Sequence, residues 1–250
     1  MKLSVIILAG NHEKDIPDCL TSVSFADEIL VVLTNSTDNT RAIAKKHGAR
    51  IVDTDTESFA EKRNIGLKHA KGDWVLYIDT DERVSSVLRD SIQRVVKGEK
   101  GDMGGFRVRR KNFYLGNHEW PKIEKLERLF LREKLQKWQG VLHETAIVDG
   151  DIGELDGFLF HYTHKDLTSM LEKTIIWSEV EANLRYNAHH PKMTWWRFPR
   201  VMATAFYDSY FKQGGWKAGT VGLIESMYQA YSMFITYARL WEKQEGNAKL

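Results

Sequence analysis

The sequence predicts an α/β fold. Three observations carry this: apolar runs alternate with helix-like segments through the first hundred residues, glycines close two of those segments, and the apolar runs end in polar clusters. "KLSVIILA" reads as a first strand. It turns polar at Asn11 and lacks the length and small-residue cleavage site of an export signal. A helix through Ile16, Leu20 and Val23 follows, then the strand "EILVVL", then the helix "DNTRAIAKKHG" closed by Gly48. "ARIVD" is the third strand. "SFAEKRNIGLKHAKG" interleaves Phe59, Ala60, Ile65, Leu67 and Ala70 with charge, and Gly72 stops it before the strand "DWVLYI". Strands alternating with helices imply right-handed βαβ units and a mostly parallel sheet.

Beyond residue 100 the pattern changes. "GGFRVRRKNFYLG" and "LERLFLREK" read as strands of a mixed or antiparallel extension, and "VLHETAIVDGDIGELDGFLFHYTHKD" as short strands and turns. From about Leu167 the sequence reads as helix. A length of 250 residues suits one catalytic domain with an appendage. A formal charge of +2 gives no sign of a nucleic-acid partner. Cys19 is the only cysteine, which excludes an internal disulfide and a cysteine-based zinc site and makes a reducing, cytosolic compartment the default.

Ligands of open α/β sheets bind beyond the carboxyl ends of the strands, where loops and helix N-termini converge. The exits to consider are therefore 10–13, 34–40, 53–57 and 79–83. The last, "DTDER", sets Asp79, Asp81 and Glu82 at the end of a core strand. Alternation lets Asp79 and Asp81 point to the same side, where two hard oxygen donors suit Mg²⁺ or Mn²⁺ and, through it, a diphosphate. The same carboxylates could instead cap the next helix, "SSVLRDSIQRVV", or solvate a loop.

"SVIILAGNHEKDIPDCLTSV", "ADEILVVLTNSTDNTRAIAKKHGARIV", "FAEKRNIGLKHAKGDWVLYIDTDERV", "RLFLREKLQKWQGVLHE" and "HYTHKDLTSMLEK", in this order, resemble the family 2 inverting glycosyltransferases, and within them the bacterial lipopolysaccharide core β-glucosyltransferases. The tail "GGWKAGTVGLIESMYQAYSMFITYARLWE" is similar to theirs as well. The resemblance implies a GT-A fold, with a catalytic domain over 1–165 and a helical, aromatic and basic extension over 166–250. It implies a nucleotide-sugar donor, with glucose the candidate sugar, a glycolipid or surface-polysaccharide acceptor, and Mg²⁺ or Mn²⁺ held by Asp79, Asp81 and His161. Glu144 takes the place of the general base. Asn11, Glu13, Asn35, Asp38, Arg63, Asn64 and Asp79 take the places of donor contacts. Without the resemblance, Glu144 and His143 would read as an exposed pair on an edge strand, His161 as a packed histidine, and Arg63 as a solvated residue of a charged helix face.

Two strand exits depart from the family pattern. Leu33 occupies the principal aspartate position of the second exit, and His12 stands where a glutamate usually follows the asparagine. Altered donor recognition, weak donor binding and a degenerate transferase fold acting as a membrane-surface binding protein are the competing explanations. A nucleotidyltransferase would show a Gly-rich, basic phosphate loop after the first strand, and "LAGNHEKD" supplies only Gly10 and Lys14. In the tail, Trp195, Trp196, Phe198, Tyr207, Phe211 and Trp216 lie among Arg197, Arg200, Lys212 and Lys217. This composition predicts peripheral contact with a membrane through 185–241, at the cytoplasmic face of the inner membrane, or a dimer interface. Ala218 to Trp241 is long enough to span a bilayer, but Glu225, Gln229 and Arg239 interrupt it.

Overall fold

All seven residues of β1 (Leu3–Ala9) are buried. In a computed structural model, which describes residues 2–99, 103–140 and 144–246, this strand has parallel neighbours on both sides. The chain continues through α1 (Ile16–Ser22), β2 (Glu28–Thr34), α2 (Thr40–Lys46), β3 (Arg50–Thr54), α3 (Phe59–His69) and β4 (Trp74–Asp79). After it come β5 (Glu82–Val84), α4 (Ser86–Val96), β6 (Gly105–Tyr114), β7 (His118–Leu131), β8 (Leu135–Gln139), β9 (Thr145–Val148) and β10 (Ile152–Tyr162). The main sheet runs β3-β2-β1-β4-β7-β6-β10-β5, and β8 pairs with β9 apart from it.

The sheet is parallel through β3, β2, β1 and β4, and becomes antiparallel where β7 joins β4. The first four strands and the antiparallel extension stand as the sequence predicts. One element differs: "ERV" of the acidic exit is itself a short strand, antiparallel to β10. Alternate residues of β1 serve two cores. Leu3, Val5 and Ile7 pack with Ile16, Leu20, Leu88 and Ile92 on one face. Ile6 and Leu8 pack with Ala60, Tyr77 and Trp138 on the other. A strand covered on both faces has no polar side, which is why, Ser4 apart, its sequence is an apolar run.

Helix α3 begins at Ser58, whose hydroxyl accepts the Glu61 N–H at 3.3 Å, and lies directly on the sheet at Gly66. A methyl group at Gly66 would collide with the Ile6 side chain. That close approach sets Arg63, one turn earlier, beneath the end of β4.

By their contacts the residues form two compact units, Met1–Lys111 with Glu124–His161, and Asn112–Ile123 with Tyr162–Leu250. The second unit contains α5 (Leu167–Asn187), α6 (Arg197–Tyr207), a π-helical turn over Asp208–Lys212, a 3₁₀ turn over Gly215–Ala218, and α7 (Gly219–Gly246). Asp166 and Ser169 form a reciprocal cap at the start of α5. The polar residues that interrupt the long tail have partners in this unit. Glu225 is buried beside His164 Nδ1, 3.1 Å away, and accepts from Gln229 at 2.7 Å. Arg239 and Lys243 both reach Glu179 of α5. Among the described residues no helix is long and apolar enough to cross a membrane.

Candidate functional site

Arg63 is 95% buried, and its guanidinium lies over the Trp138 ring at 4.8 Å and the Tyr77 ring at 5.6 Å. Tyr77 Oη donates to the Arg63 carbonyl at 3.2 Å, so helix and strand lock together at this residue. From that seat Arg63 Nε donates to Glu144 Oε1 at 2.9 Å, and Nη2 approaches Asp79 Oδ1 at 3.4 Å. The arginine therefore joins the expected base to the first aspartate of the acidic exit. Asn64 beside it is turned the other way, donating to the Trp138 carbonyl at 2.9 Å and accepting the Trp138 N–H at 2.7 Å. Its amide ties α3 to β8 at Trp138, whose ring meets Tyr77 edge to face.

Asp79 has a second arginine. Arg128 Nη2, from β7, donates to Asp79 Oδ2 at 2.8 Å and to Glu82 Oε1 at 3.0 Å. Glu82 is fully buried and also accepts the Asp79 N–H at 2.9 Å and a bond from Arg110 Nη1 at 3.0 Å. Arg110 continues to Glu124 at 2.6 Å. Positive and negative groups thus alternate from Glu124 through Arg110, Glu82, Arg128, Asp79 and Arg63 to Glu144. Burial alone would push the Asp79 carboxyl up, but Arg128 and Arg63 prevail and hold it well below the usual carboxylate range. Arg128 is correspondingly pushed up against its own burial by Asp79 and Glu82.

Asp81 goes elsewhere. Its Oδ2 lies 3.2 Å from His161 Nε2 at the end of β10. The three residues expected to hold a metal are therefore a pair, Asp81 and His161, with Asp79 engaged by arginines. Among the described residues no group of three or more His, Cys, Asp or Glu side chains is arranged to hold a metal ion. One carboxylate oxygen beside one imidazole nitrogen still fits Mg²⁺ or Mn²⁺, which complete their shells with water and phosphate oxygens. His143, the expected neighbour of Glu144, lies outside the described residues.

The exits of β1 and β2 form a separate rim. Asn11 Oδ1 accepts the Thr37 N–H at 2.8 Å, and Glu13 Oε2 accepts from Asn39 Nδ2 at 2.9 Å. Asp38 accepts the Thr40 N–H at 2.9 Å and the Glu13 N–H at 3.0 Å. Burial is the largest single influence and acts upward, but the hydrogen bonds from Thr40, Glu13 and Ser36 together outweigh it and bring the Asp38 carboxyl down to about 2. His12 folds back so that its Nδ1 accepts the Gly10 N–H at 2.9 Å. Asn35 turns the chain with φ +46°, a conformation asparagine tolerates, and its side chain reaches Glu57 at 3.3 Å.

Leu33 ends this rim as part of the core, 1% exposed, with Asp53 as its register partner on β3. Leu33→Asp, which reinstates the family carboxylate, is expected to tighten uridine-nucleotide binding about tenfold, the worth of one charged hydrogen bond. It should also lower the melting temperature, because the new charge enters a buried position. Calorimetric titration that shows no gain in affinity would remove the account of Leu33 as an altered nucleotide contact.

Sequence reasoning placed Glu82 in the acidic exit without giving it a role, and missed Arg128 and Arg110 as members of the site. The only signal in the sequence was the density of arginine in "FRVRRK" and "LERLFLRE" facing an acidic exit.

The order of the sheet, with an acidic exit where parallel strands give way to antiparallel ones, is that of the GT-A fold. The crystal structure of S. aureus TarS 1–349 in complex with UDP-GlcNAc has this fold, with a TM-score of 0.50 at 15% identity over 100% of this chain and 93% of that one. A family model, Glycosyl transferase family 2, matches residues 4–148, and the chain belongs to that family. Relatives extend the likeness over the full length. The lipopolysaccharide core biosynthesis glycosyltransferase LpsC of Rhizobium meliloti is 25% identical over 100% of this chain and 95% of its own. An uncharacterized glycosyltransferase of Rickettsia typhi is 25% identical over 96% of this chain and 87% of its own.

Proposed function

We propose that this family 2 glycosyltransferase is inverting and metal-dependent, and moves a sugar from a nucleoside-diphosphate sugar to a hydroxyl of a glycolipid or surface-polysaccharide precursor. The observation that carries the reading is the 2.9 Å bond from buried Arg63 to Glu144, with Asp79 on the other side of the same guanidinium. One rigid group then fixes the proton acceptor relative to the strand exit that faces the diphosphate. The likeness to LpsC supports an acceptor of the lipopolysaccharide type.

In the reaction an acceptor hydroxyl oxygen attacks the anomeric carbon from the face opposite the leaving group. The new C–O bond forms as the bond to the diphosphate oxygen breaks, the electron pair leaves with the nucleoside diphosphate, and Glu144 takes the hydroxyl proton. Asp81 and His161 would hold the cation, which when bound supplies positive charge beside the diphosphate. Asp79, already balanced by two arginines, orients Arg63 and Arg128. Asn11, Glu13, Asn35 and Asp38 shape the nucleotide rim, and Asn64 holds α3 in place behind Arg63.

A panel of nucleotide-sugars with Mn²⁺ or Mg²⁺, read by thermal stabilisation and slow donor hydrolysis, tests this reading. Stabilisation by one nucleotide with metal is the expected result. Binding of none would favour a fold kept for another purpose.

We propose further that the second unit meets a membrane surface peripherally, as a lipid-linked acceptor would require. Helix α6 buries none of its residues. Trp195 is 82% exposed, and Lys212 over Tyr207 and Lys217 over Trp216 set cations against aromatic faces. Such pairs suit an interface where rings enter the headgroup region and cations meet anionic lipid. The protein is expected to co-sediment with vesicles containing phosphatidylglycerol at low salt and to be released at high salt. Absence of binding at low salt would remove this contact.

A further inference from the structure

A cleft of about 490 Å³ opens in front of Glu144 in the first unit. Its floor carries Arg63 and Arg128, and its wall carries Arg107, Arg110 and Lys125 of β6 and β7. Five cations therefore line it, against the carboxylates Asp79, Glu127 and Glu144. Two of the three wall cations are loosely held, while Arg110 is anchored by Glu82 and Glu124. Arg107 pairs with Glu127 at 2.9 Å and Lys125 with Glu154 at 2.7 Å, and both cations are about half exposed, so their partners can be exchanged at little cost. The floor holds a second sign. Arg63 and Arg128 are each 95% buried, yet Arg63 Nη1 and Arg128 Nε have no hydrogen-bond partner among the described residues. Buried donors left over beside a cleft favour a ligand with acceptor oxygens.

Position in the sheet separates this cleft from the nucleotide rim. Asn11, Glu13 and Asp38 leave β1 and β2 on one side of β4, while β7 and β6 lie on the other. Glu144, which must touch the attacking hydroxyl under the proposed reaction, lines the β7 side.

We propose that this cleft is the acceptor subsite and that Arg107 and Lys125 select an acceptor sugar bearing a phosphate or carboxylate group. Guanidinium and ammonium groups meet such anions in charge-assisted hydrogen bonds, and an uncharged sugar in the same place would leave Arg107 and Lys125 with only Glu127 and Glu154. The inference rests on the transferase reading and adds the chemical class of the acceptor.

The test is binding of glucose 6-phosphate, glucuronate and glucose to the full chain in the presence of UDP and Mn²⁺, followed by calorimetry or ligand-detected NMR. The two anionic sugars should bind at least about tenfold more tightly than glucose, and Arg107→Ala and Lys125→Ala should each erase most of that preference. Equal binding of the three sugars, binding of none while UDP binds, or an unchanged preference in both variants overturns the proposal. Failure to bind UDP at all overturns the transferase reading instead. A variant that weakens UDP and leaves the sugar preference intact assigns the wall to the donor, which also overturns it.

Discussion

Glu144→Gln is expected to lower sugar transfer by about 10²–10⁴-fold, the usual worth of a positioned general base, while binding of the nucleotide-sugar is retained. Geometry makes the separation sharp. Glu144 Oε1 receives its 2.9 Å bond from Arg63 Nε, and the amide oxygen of glutamine accepts the same bond. Arg63 then keeps its place over Trp138 and beside Asp79, and the donor side of the site is undisturbed. What glutamine cannot do is take a proton. Single-turnover transfer measured with donor binding by calorimetry distinguishes the two effects. Transfer within a few-fold of the parent protein would show that another group removes the proton. Loss of donor binding in parallel with transfer would show that Glu144 acts on the nucleotide-sugar.

The parts of this molecule that read directly from sequence are those whose physics is local. β1 and β4 are nearly continuous apolar runs because both faces of the parallel half are covered, and their short length with flanking turn residues marks them as strands. Charge pairing is not local. Arg128 is 46 residues from Glu82 and 49 from Asp79 in sequence, and nothing in "LERLFL" distinguishes it from Arg132, which turns instead to the Gly72 carbonyl. Glu82 illustrates the same point from the other side. As a third acid in "DTDER" it reads as part of an open cluster, but the strand it begins turns its side chain inward, where two guanidinium groups balance it. Asp79 and Asp81 share a motif and separate in space, one towards arginines and one towards His161, 80 residues away. The spacing of two aspartates fixes which residues stand at the exit; the partners that decide their chemistry come from distant strands.

Arg128→Met is expected to destabilise the fold by about 3–5 kcal/mol, the range for breaking a buried ion pair from one side. Methionine fills similar volume and has no charge, so the loss is electrostatic. Glu82 would keep the Asp79 N–H and Arg110, and Asp79 would keep only the longer 3.4 Å approach of Arg63. Two carboxylates would then share too little positive charge inside the protein, and one would take up a proton or draw in water. For a domain of this size each kcal/mol shifts the melting temperature by roughly 2–4 °C, which makes the expected fall on the order of 10 °C. Arg107→Met provides the comparison, since its partner Glu127 is a surface group and exposed pairs contribute at most about 1 kcal/mol. Thermal melts of the two variants decide the matter. If Arg128→Met melts no lower than Arg107→Met, the alternating chain from Glu124 to Glu144 is not a stabilising unit. If it melts much lower while Glu144→Gln melts with the parent, the buried charges at Glu82 and Asp79 hold the exit of β4 in place and Glu144 is free to serve the chemistry.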